Sequence, residues 1–147
     1  SIILTQANSM GYAPKFFGCD GLDGILAMKN FDTKLAEGVM LLTPFAADAT
    51  DELTQKFVAA YKKAYTDTPN QFAADAYDAI YAIKAAAEAG KVTPSMKTSE
   101  MCTAMEKAMT TITLTGLTGT ITWTADGEPS KTPKAVEIKD GAYVSMK

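Results

Sequence analysis

The clearest pattern in the sequence is an apolar stripe with helical spacing in the middle of the chain. A large apolar or aromatic residue recurs at every fourth position, so these side chains fall on one face of a helix. The residues are Leu53, Phe57, Tyr61 and Tyr65. Thr50, followed by two acidic residues, suits the N-cap of such a helix. The spacing therefore predicts a first long helix over about residues 50–65.

Two more helices are predicted further along the chain. The segment 71–89 is rich in alanine and is followed by Gly90, a residue that commonly ends helices. Its predicted inward face consists of Ala73, Ala76, Tyr77, Ile80, Ile83 and Ala87. The segment over about 98–111 places a second apolar set on one side, namely Met101, Met105, Ala108, Met109 and Ile112. Methionines at this spacing are typical of core packing.

The first 43 residues predict helix, strand, helix and strand in that order. Residues 1–10 have the pattern of a helix that Gly11 ends, and Phe16 and Phe17 indicate a short buried strand. The apolar positions in 22–29 have the spacing of a short helix. The apolar run 37–43, closed by Pro44, is typical of a strand buried on both faces in a parallel sheet. This order predicts an α/β fold.

The last third of the chain changes to the two-residue period of β-strands. Ile121 and Trp123 alternate with threonines, and the segment 135–139 alternates again. Asp126-Gly127 and Asp140-Gly141 are turn dipeptides. We expect a terminal antiparallel meander here.

Composition and charge exclude several classes of function. The 147 residues are 47% apolar and 21% charged, which fits one compact domain. The net charge is −3 and the chain has no Arg, so a nucleic-acid partner is not expected. No apolar run approaches the length of a membrane span, and no targeting signal is visible at the first residues.

The absence of histidine removes the commonest catalytic and metal-binding chemistry. Catalytic triads and His-ligated zinc are excluded, and the chain has only two cysteines, Cys19 and Cys102, far apart in sequence. Whether these two cysteines form a disulfide bond is left open by the sequence. We therefore expect no metal, no cofactor and no catalytic residues.

The loop Gly18-Cys19-Asp20-Gly21 is the best candidate for a ligand contact. It directly follows a predicted strand, and ligands of open α/β sheets bind beyond the carboxyl ends of the strands. Asp20 could therefore bind an ammonium group, or it could simply cap the helix that begins near Leu22. Cys19 could be a nucleophile, but an inert thiol is favoured because no histidine is available to activate it.

Other candidate residues lie on the helices and strands. Phe72, at the start of the second long helix, could cover a ligand or anchor the helix entry. Adjacent helix residues point in different directions, so Tyr77 is predicted in the core and Asp78 in solvent or in a cap. Lys62 and Lys63 are expected in solvent, and Trp123 either stacks on a ligand or, as favoured, faces the core.

Three blocks of sequence occur in a particular order over nearly all of the chain. The first includes Ala76-Tyr77-Asp78-Ala79 and Ala89-Gly90 within the helical region, the second is 116–123 with Asp126-Gly127, and the third is 138–141. In this order the blocks resemble the type I periplasmic binding proteins, specifically the branched-chain amino-acid group of ABC-transporter solute receptors.

The resemblance implies part of a two-lobed α/β fold with parallel-sheet elements, three long helices and a C-terminal antiparallel hairpin. Segments 1–43 and 124–147 would belong to the C-terminal lobe, and 44–123 would form the helical part of the N-terminal lobe. Family members are longer, so the matched part would be the C-terminal portion. The missing N-terminal part, or a swapped homodimer partner, would then cover the apolar faces left open.

The resemblance also implies a function and a site. The protein would bind an amino acid, branched-chain or similar, in a cleft between lobes and deliver it to a membrane permease. It would act in the periplasm or outside the cell, with or without a lipid anchor on the outer face of the cytoplasmic membrane. Asp20 would pair with the ligand ammonium, Phe72 would cover the side chain, and Cys19 and Gly21 would flank the site.

Three alternatives to transport stay open at this point. The same fold could serve as a ligand-sensing receptor domain acting on a partner protein. The chain could be a small enzyme that uses Asp20 with Tyr77 or a lysine, although no nucleophile and base stand at a workable spacing. It could also be an independent interaction domain.

Overall fold

The computed structural model describes residues 1–146 and contains four α-helices and six β-strands. The helices are α1 (Ile2–Ser9), α2 (Glu52–Tyr65), α3 (Gln71–Ala89) and α4 (Thr98–Met109). The strands are β1 (Phe17–Gly18), β2 (Met40–Thr43), β3 (Leu114–Gly116), β4 (Gly119–Ile121), β5 (Lys134–Lys139) and β6 (Ala142–Ser145). The chain forms two compact units, of which the first comprises Ser1–Gln71 and the residues from Pro133 on, and the second Phe72–Thr132.

The first unit is built on a mixed sheet of four strands in the order β1-β2-β5-β6. β1 and β2 are parallel, whereas β2 pairs antiparallel with β5, and β5 with β6. Asp140 and Gly141 connect β5 to β6 with positive φ at both residues, as a tight hairpin turn requires. The predicted parallel pair and the C-terminal hairpin are thus confirmed.

The core of the first unit lies around β2 and β5. Leu41, Val136 and Ile138 are fully buried there, together with Val39. Leu4 of α1 belongs to the same cluster. Along β2 the buried residues Leu41 and Thr43 alternate with half-buried ones, so the strand is covered more fully on one face than the two-sided prediction stated.

Two predictions near the N-terminus need correction. The segment 22–29 forms no α-helix, because Gly24 adopts φ 87° between two short 3-10 turns, Asp20–Leu22 and Ile25–Ala27. β1 is not a fully buried strand, since the side chain of Phe17 is largely exposed while Phe16 packs against the core. Phe16, which directly precedes β1, and Phe17 are successive residues of one extended segment, so their side chains point to opposite faces of the sheet.

The predicted helix α2 is confirmed with a different cap, but its apolar stripe is only half-buried and Tyr65 is largely exposed. Asp51, rather than Thr50, is the N-cap residue, and its carboxylate accepts a hydrogen bond from the backbone N–H of Thr54 at 2.9 Å. This hydrogen bond holds the pKa of the Asp51 carboxyl below its ordinary value. Phe57 packs edge-on against Phe45 with ring centroids 5.9 Å apart.

Helix α3 has the predicted length but buries a different face. The predicted inward residues Ile80 and Ile83 are mostly exposed. The buried positions are Gln71, Ala74, Asp78, Ala82 and Ala86. Hydrophobicity misplaced this face, because small residues and one carboxylate occupy the buried side of the helix.

The β-strands of the last third do not form one meander. β3 and β4 make a separate two-stranded hairpin in the second unit, whereas β5 and β6 belong to the sheet of the first unit. Trp123, half-buried, forms an isolated bridge with Pro129 across the turn that contains Asp126-Gly127. On α4, Ala108 is buried and Met101, Met105 and Met109 are half-buried.

The two compact units divide the chain at 71/72 and at 132/133. The lobe boundaries that the resemblance implies lie elsewhere, at 43/44 and 123/124. They refer to the two lobes of a complete family member, so they stay a prediction.

Candidate functional site

The loop that carries Asp20 lies at the carboxyl end of β1. Because β1 and β2 are parallel, with Gly18 opposite Leu41, the loop and the end of β2 lie at the same edge of the sheet. Thr43, the last residue of β2, is buried at this edge. The loop therefore occupies the position at which open α/β sheets bind their ligands.

The carboxylate of Asp20 is exposed and makes a local hydrogen bond. Its Oδ1 accepts from the backbone N–H of Gly21 at 2.9 Å. Asp20 is the first residue of a three-residue 3-10 turn whose N-cap is Cys19, so Asp20 does not cap an α-helix as the alternative interpretation proposed. The carboxylate has no lysine partner among the ion pairs of the described residues.

Cys19 and Gly21 line an apolar groove beside β1. The groove has a volume of about 400 Å³ and no charged side chain in its lining. Leu22 folds over Gly18, where an added Cβ would lie 2.2 Å from a Leu22 methyl carbon. Phe17, Leu4 and Ile3 also line the groove. Cys19 is an exposed free thiol, and so is Cys102.

Phe72 lies at the start of α3 with about half of its surface exposed, 51%. It is the first residue of the second compact unit, whereas the Asp20 loop belongs to the first.

A polar cluster that sequence reasoning missed lies directly after the Asp20 loop. The carboxylate of Asp23 accepts from the backbone N–H groups of Gly24, at 2.7 Å, and of Gln71, at 2.6 Å. It therefore binds the N-terminal residue of α3, where a helix favours negative charge. The spacing of 48 residues between Asp23 and Gln71 leaves no local signal for this contact.

Tyr143 of β6 completes this cluster. Its hydroxyl oxygen accepts from the N–H of Gly24 at 2.9 Å, and the hydroxyl is hydrogen bonded to the carboxylate of Asp23. Burial, together with the nearby charge of Asp23, raises the pKa of Tyr143 to about 12. The tyrosine therefore stays neutral and holds the loop to the C-terminal hairpin.

The carboxylate of Asp78 has a different role from the one predicted. The residue is 3% exposed rather than solvated, and it does not cap a helix. Its oxygens accept from the N–H groups of Leu117 and Thr118, both at 2.8 Å, and from the hydroxyl of Thr118 at 2.7 Å. Asp78 thus fixes the turn between β3 and β4 to helix α3.

Gly116 makes this contact possible. A Cβ at this residue would lie 2.3 Å from Oδ1 of Asp78, so only glycine lets the carboxylate approach. The small residues Ala74 and Ala82, one turn before and after Asp78, are the sequence signal that could have located the site. Residues 76–79 and 116–119 therefore occur together in the chain because they contact each other in the structure.

Tyr77, the candidate acid or base, packs against a second tyrosine of α3. The rings of Tyr77 and Tyr81 pack 4.7 Å apart, and hydrogen bonding between the two hydroxyl groups raises the pKa of Tyr77. Within residues 1–146 no group of three or more His, Cys, Asp or Glu side chains is placed to hold a metal ion. In the same residues, no helix combines the length and apolar character that a membrane span needs.

Comparison with known protein families gives one match. A family profile described as periplasmic binding protein matches residues 2–142. A search of curated proteins finds no significant match.

Three solved structures illustrate the similarity of fold. The branched-chain amino acid transporter substrate-binding protein LivJ from Streptococcus pneumoniae, in complex with isoleucine, is 24% identical with a TM-score of 0.77. The leucine-binding protein LivK from Thermotoga maritima is 23% identical, also with a TM-score of 0.77. An ABC-transporter solute-binding protein from R. palustris, in complex with benzoate, is 20% identical with a TM-score of 0.78.

The chain covers only part of each of these proteins. The aligned region includes 98%, 99% and 97% of this chain but 41%, 40% and 38% of LivJ, LivK and the benzoate complex, respectively. The chain therefore spans less than half the length of the structures that it matches.

Proposed function

Because the chain belongs to the periplasmic binding protein family, we propose that it is part of a solute-binding protein that delivers a small molecule to the permease of an ABC transporter. The family match over residues 2–142 supports a binding role, and the fold is shared with proteins whose bound molecules are amino acids or benzoate. Such a protein acts outside the cytoplasm. The alternative with the same fold is a receptor domain that signals to a partner protein when it binds its solute.

Asp20 supports the proposed class of solute. Isoleucine and benzoate both carry a carboxylate, but only the amino acid carries an ammonium group. An exposed aspartate at the carboxyl end of β1 attracts an ammonium and repels an anion. This single observation supports a solute with an ammonium group, such as an amino acid, over an aromatic acid.

The other predicted contacts fit the same solute. Cys19 and Gly21 flank the aspartate and line an apolar groove, and Phe72 offers an exposed ring. In the proposal, Asp20 neutralises the ammonium and Phe72 packs against an aliphatic side chain. Gly21 supplies the N–H that orients the Asp20 carboxylate.

Calorimetric titration of the full-length gene product tests the solute class. L-leucine and L-isoleucine are expected to bind, and benzoate to bind at least tenfold more weakly, because a charge-assisted contact contributes about 1.5–3 kcal/mol. Asp20→Asn should weaken leucine binding about tenfold or more. Asp126→Asn, at an exposed acid in a turn of the second unit, is the matched control.

Tighter binding of benzoate than of either amino acid would contradict the proposed class. Equal affinity of wild type and Asp20→Asn for leucine would remove Asp20 from the site. A receptor role, instead of transport, would show as solute-dependent binding to a signalling partner and no stimulation of a permease ATPase.

A further inference from the structure

The side chain of Gln71 occupies the edge of the sheet beneath the Asp20 loop. Gln71 is 1% exposed, although it is the first residue of a long helix and carries a polar amide. Its Nε2 donates a hydrogen bond to the backbone oxygen of Asp20. Its Oε1 lies 3.3 Å from the hydroxyl oxygen of Thr43, whose single proton is shared between Gln71 and the backbone oxygen of Phe45 at 2.9 Å. The amide thus joins the end of β2 to the candidate ligand loop.

The backbone of Gln71 makes a second contact with the same loop. Its N–H donates to Oδ2 of Asp23 at 2.6 Å. One buried residue therefore bonds to the loop at two points three residues apart, the Asp20 carbonyl and the Asp23 carboxylate. Between these points lie Gly21 and Leu22, whose short 3-10 turn sets the direction of the Asp20 side chain.

A buried glutamine at this position is not explained by packing. An apolar side chain of similar size would fill the space without the cost of removing an amide from water. The amide is retained where both of its ends have partners, as buried polar groups require. Nothing in the sequence signals this contact, since Gln71 and Asp20 are 51 positions apart.

We propose that Gln71 is a positioning residue for solute binding: its amide fixes the backbone at Asp20 and so holds the carboxylate where the solute ammonium is bound. The proposal rests on the proposed function of Asp20. Gln71 itself touches no solute. It acts through the loop conformation, so its loss weakens binding while the Asp20 carboxylate is still present.

Gln71→Glu tests this role through its pH dependence. An ionised glutamate cannot donate to the Asp20 carbonyl and is repelled by Asp23, whereas a protonated one can donate. Burial and the neighbouring Asp23 raise the pKa of such a glutamate. With L-leucine as the probe and the full-length gene product, we expect binding about tenfold weaker than wild type at pH 8 and close to wild type at pH 5.

Two further variants keep the test decisive. Gln71→Met preserves volume without a hydrogen bond and should bind leucine about tenfold more weakly at both pH values. Gln6→Glu, at an exposed position on α1, should behave as wild type at both. The proposal would be overturned if Gln71→Glu at pH 8 and Gln71→Met both bound leucine with the affinity of the wild type.

A measurement without solute separates this proposal from the proposed function. The amide NMR signal of Gly21, whose N–H is bonded to Asp20, should move in Gln71→Met and stay in place in Gln6→Glu. If Gly21 responds but Asp20→Asn binds leucine normally, the proposed role of Asp20 fails while Gln71 still positions the loop. If Asp20→Asn weakens binding but neither Gln71 variant affects Gly21 or leucine affinity, the positioning role fails alone.

Discussion

Asp20 and Asp78 each lie in or next to a turn that contains glycine, yet their carboxylates have opposite surroundings. Asp78 is buried and accepts three hydrogen bonds from the turn that it holds. Asp20 is exposed, and its carboxylate bonds only to the N–H of its neighbour, Gly21, among the contacts described. A saturated buried carboxylate stabilises the fold, whereas an exposed one remains able to bind a cation. Burial and hydrogen-bond count therefore distinguish the surroundings of these two acids.

The largest expected effect comes from removing the buried acid. Asp78→Ala leaves three donors without acceptors in a buried place and should lower the free energy of unfolding by about 3 kcal/mol or more. Asp20→Ala should change it by less than about 0.5 kcal/mol, as expected for an exposed side chain. Urea unfolding of both variants measures the difference. Equal losses of stability would contradict the difference between the buried and the exposed acid.

The glycines of the two turns also differ in how closely their surroundings pack. Gly116→Ala would place a Cβ 2.3 Å from Oδ1 of Asp78 and should cost about 1–3 kcal/mol through overpacking. Gly21→Ala has no atom within 4 Å of the added Cβ, so its cost should be close to zero. The melting temperatures of the two variants report this contrast, and a larger loss at Gly21 would contradict it.

Tyr143 holds the segment that directly follows the Asp20 loop. Tyr143→Phe removes the partner of Gly24 and Asp23 and should cost about 1–2 kcal/mol at neutral pH. Tyr12→Phe, at an exposed tyrosine, is the matched control.

The pKa of Tyr143 also predicts a pH dependence. The folded pKa of about 12 lies above the ordinary value of 10, so unfolding favours deprotonation and this stabilising contribution is lost as pH rises from about 10 to 12. Urea unfolding across this range should show the loss in wild type and Tyr12→Phe, and a smaller loss in Tyr143→Phe. Parallel curves for all three proteins would disprove the buried, neutral tyrosine.

The smallest expected effect concerns a third acid, Asp51, which is exposed but caps α2. Asp51→Ala should cost about 1 kcal/mol, the usual value of an N-cap. Because the pKa of Asp51 is lowered, the contribution is present at neutral pH and is lost as pH falls through the folded pKa. Thr50→Ala, at the position that the sequence predicted as the cap, should have a smaller effect by thermal unfolding.

The sequence predicted the parts of the fold that depend on local chemistry. The lengths of α2, α3 and α4 and the Asp140-Gly141 hairpin follow from periodicity and turn residues. The buried face of α3 could not be predicted this way, because it depends on the close approach of Gly116 to Asp78. Hydrophobicity gives no indication of such a contact.

The candidate site shows the same limit. The position of Asp20 after a strand was visible in the sequence, and the carboxyl end of β1 confirms that placement. Its support by Asp23, Gln71 and Tyr143 was not visible, since these contacts join residues that are far apart in the chain.

The most direct test of the account pairs one protein change with one change in the solute. Calorimetry of the full-length gene product should compare wild type with Asp20→Asn, using L-leucine and 4-methylpentanoate, which is leucine without its amino group. We predict that Asp20→Asn weakens leucine binding about tenfold or more and leaves binding of 4-methylpentanoate unchanged or stronger, because the exposed acid pairs only with the ammonium. Equal weakening for both solutes, or for neither, would contradict the account.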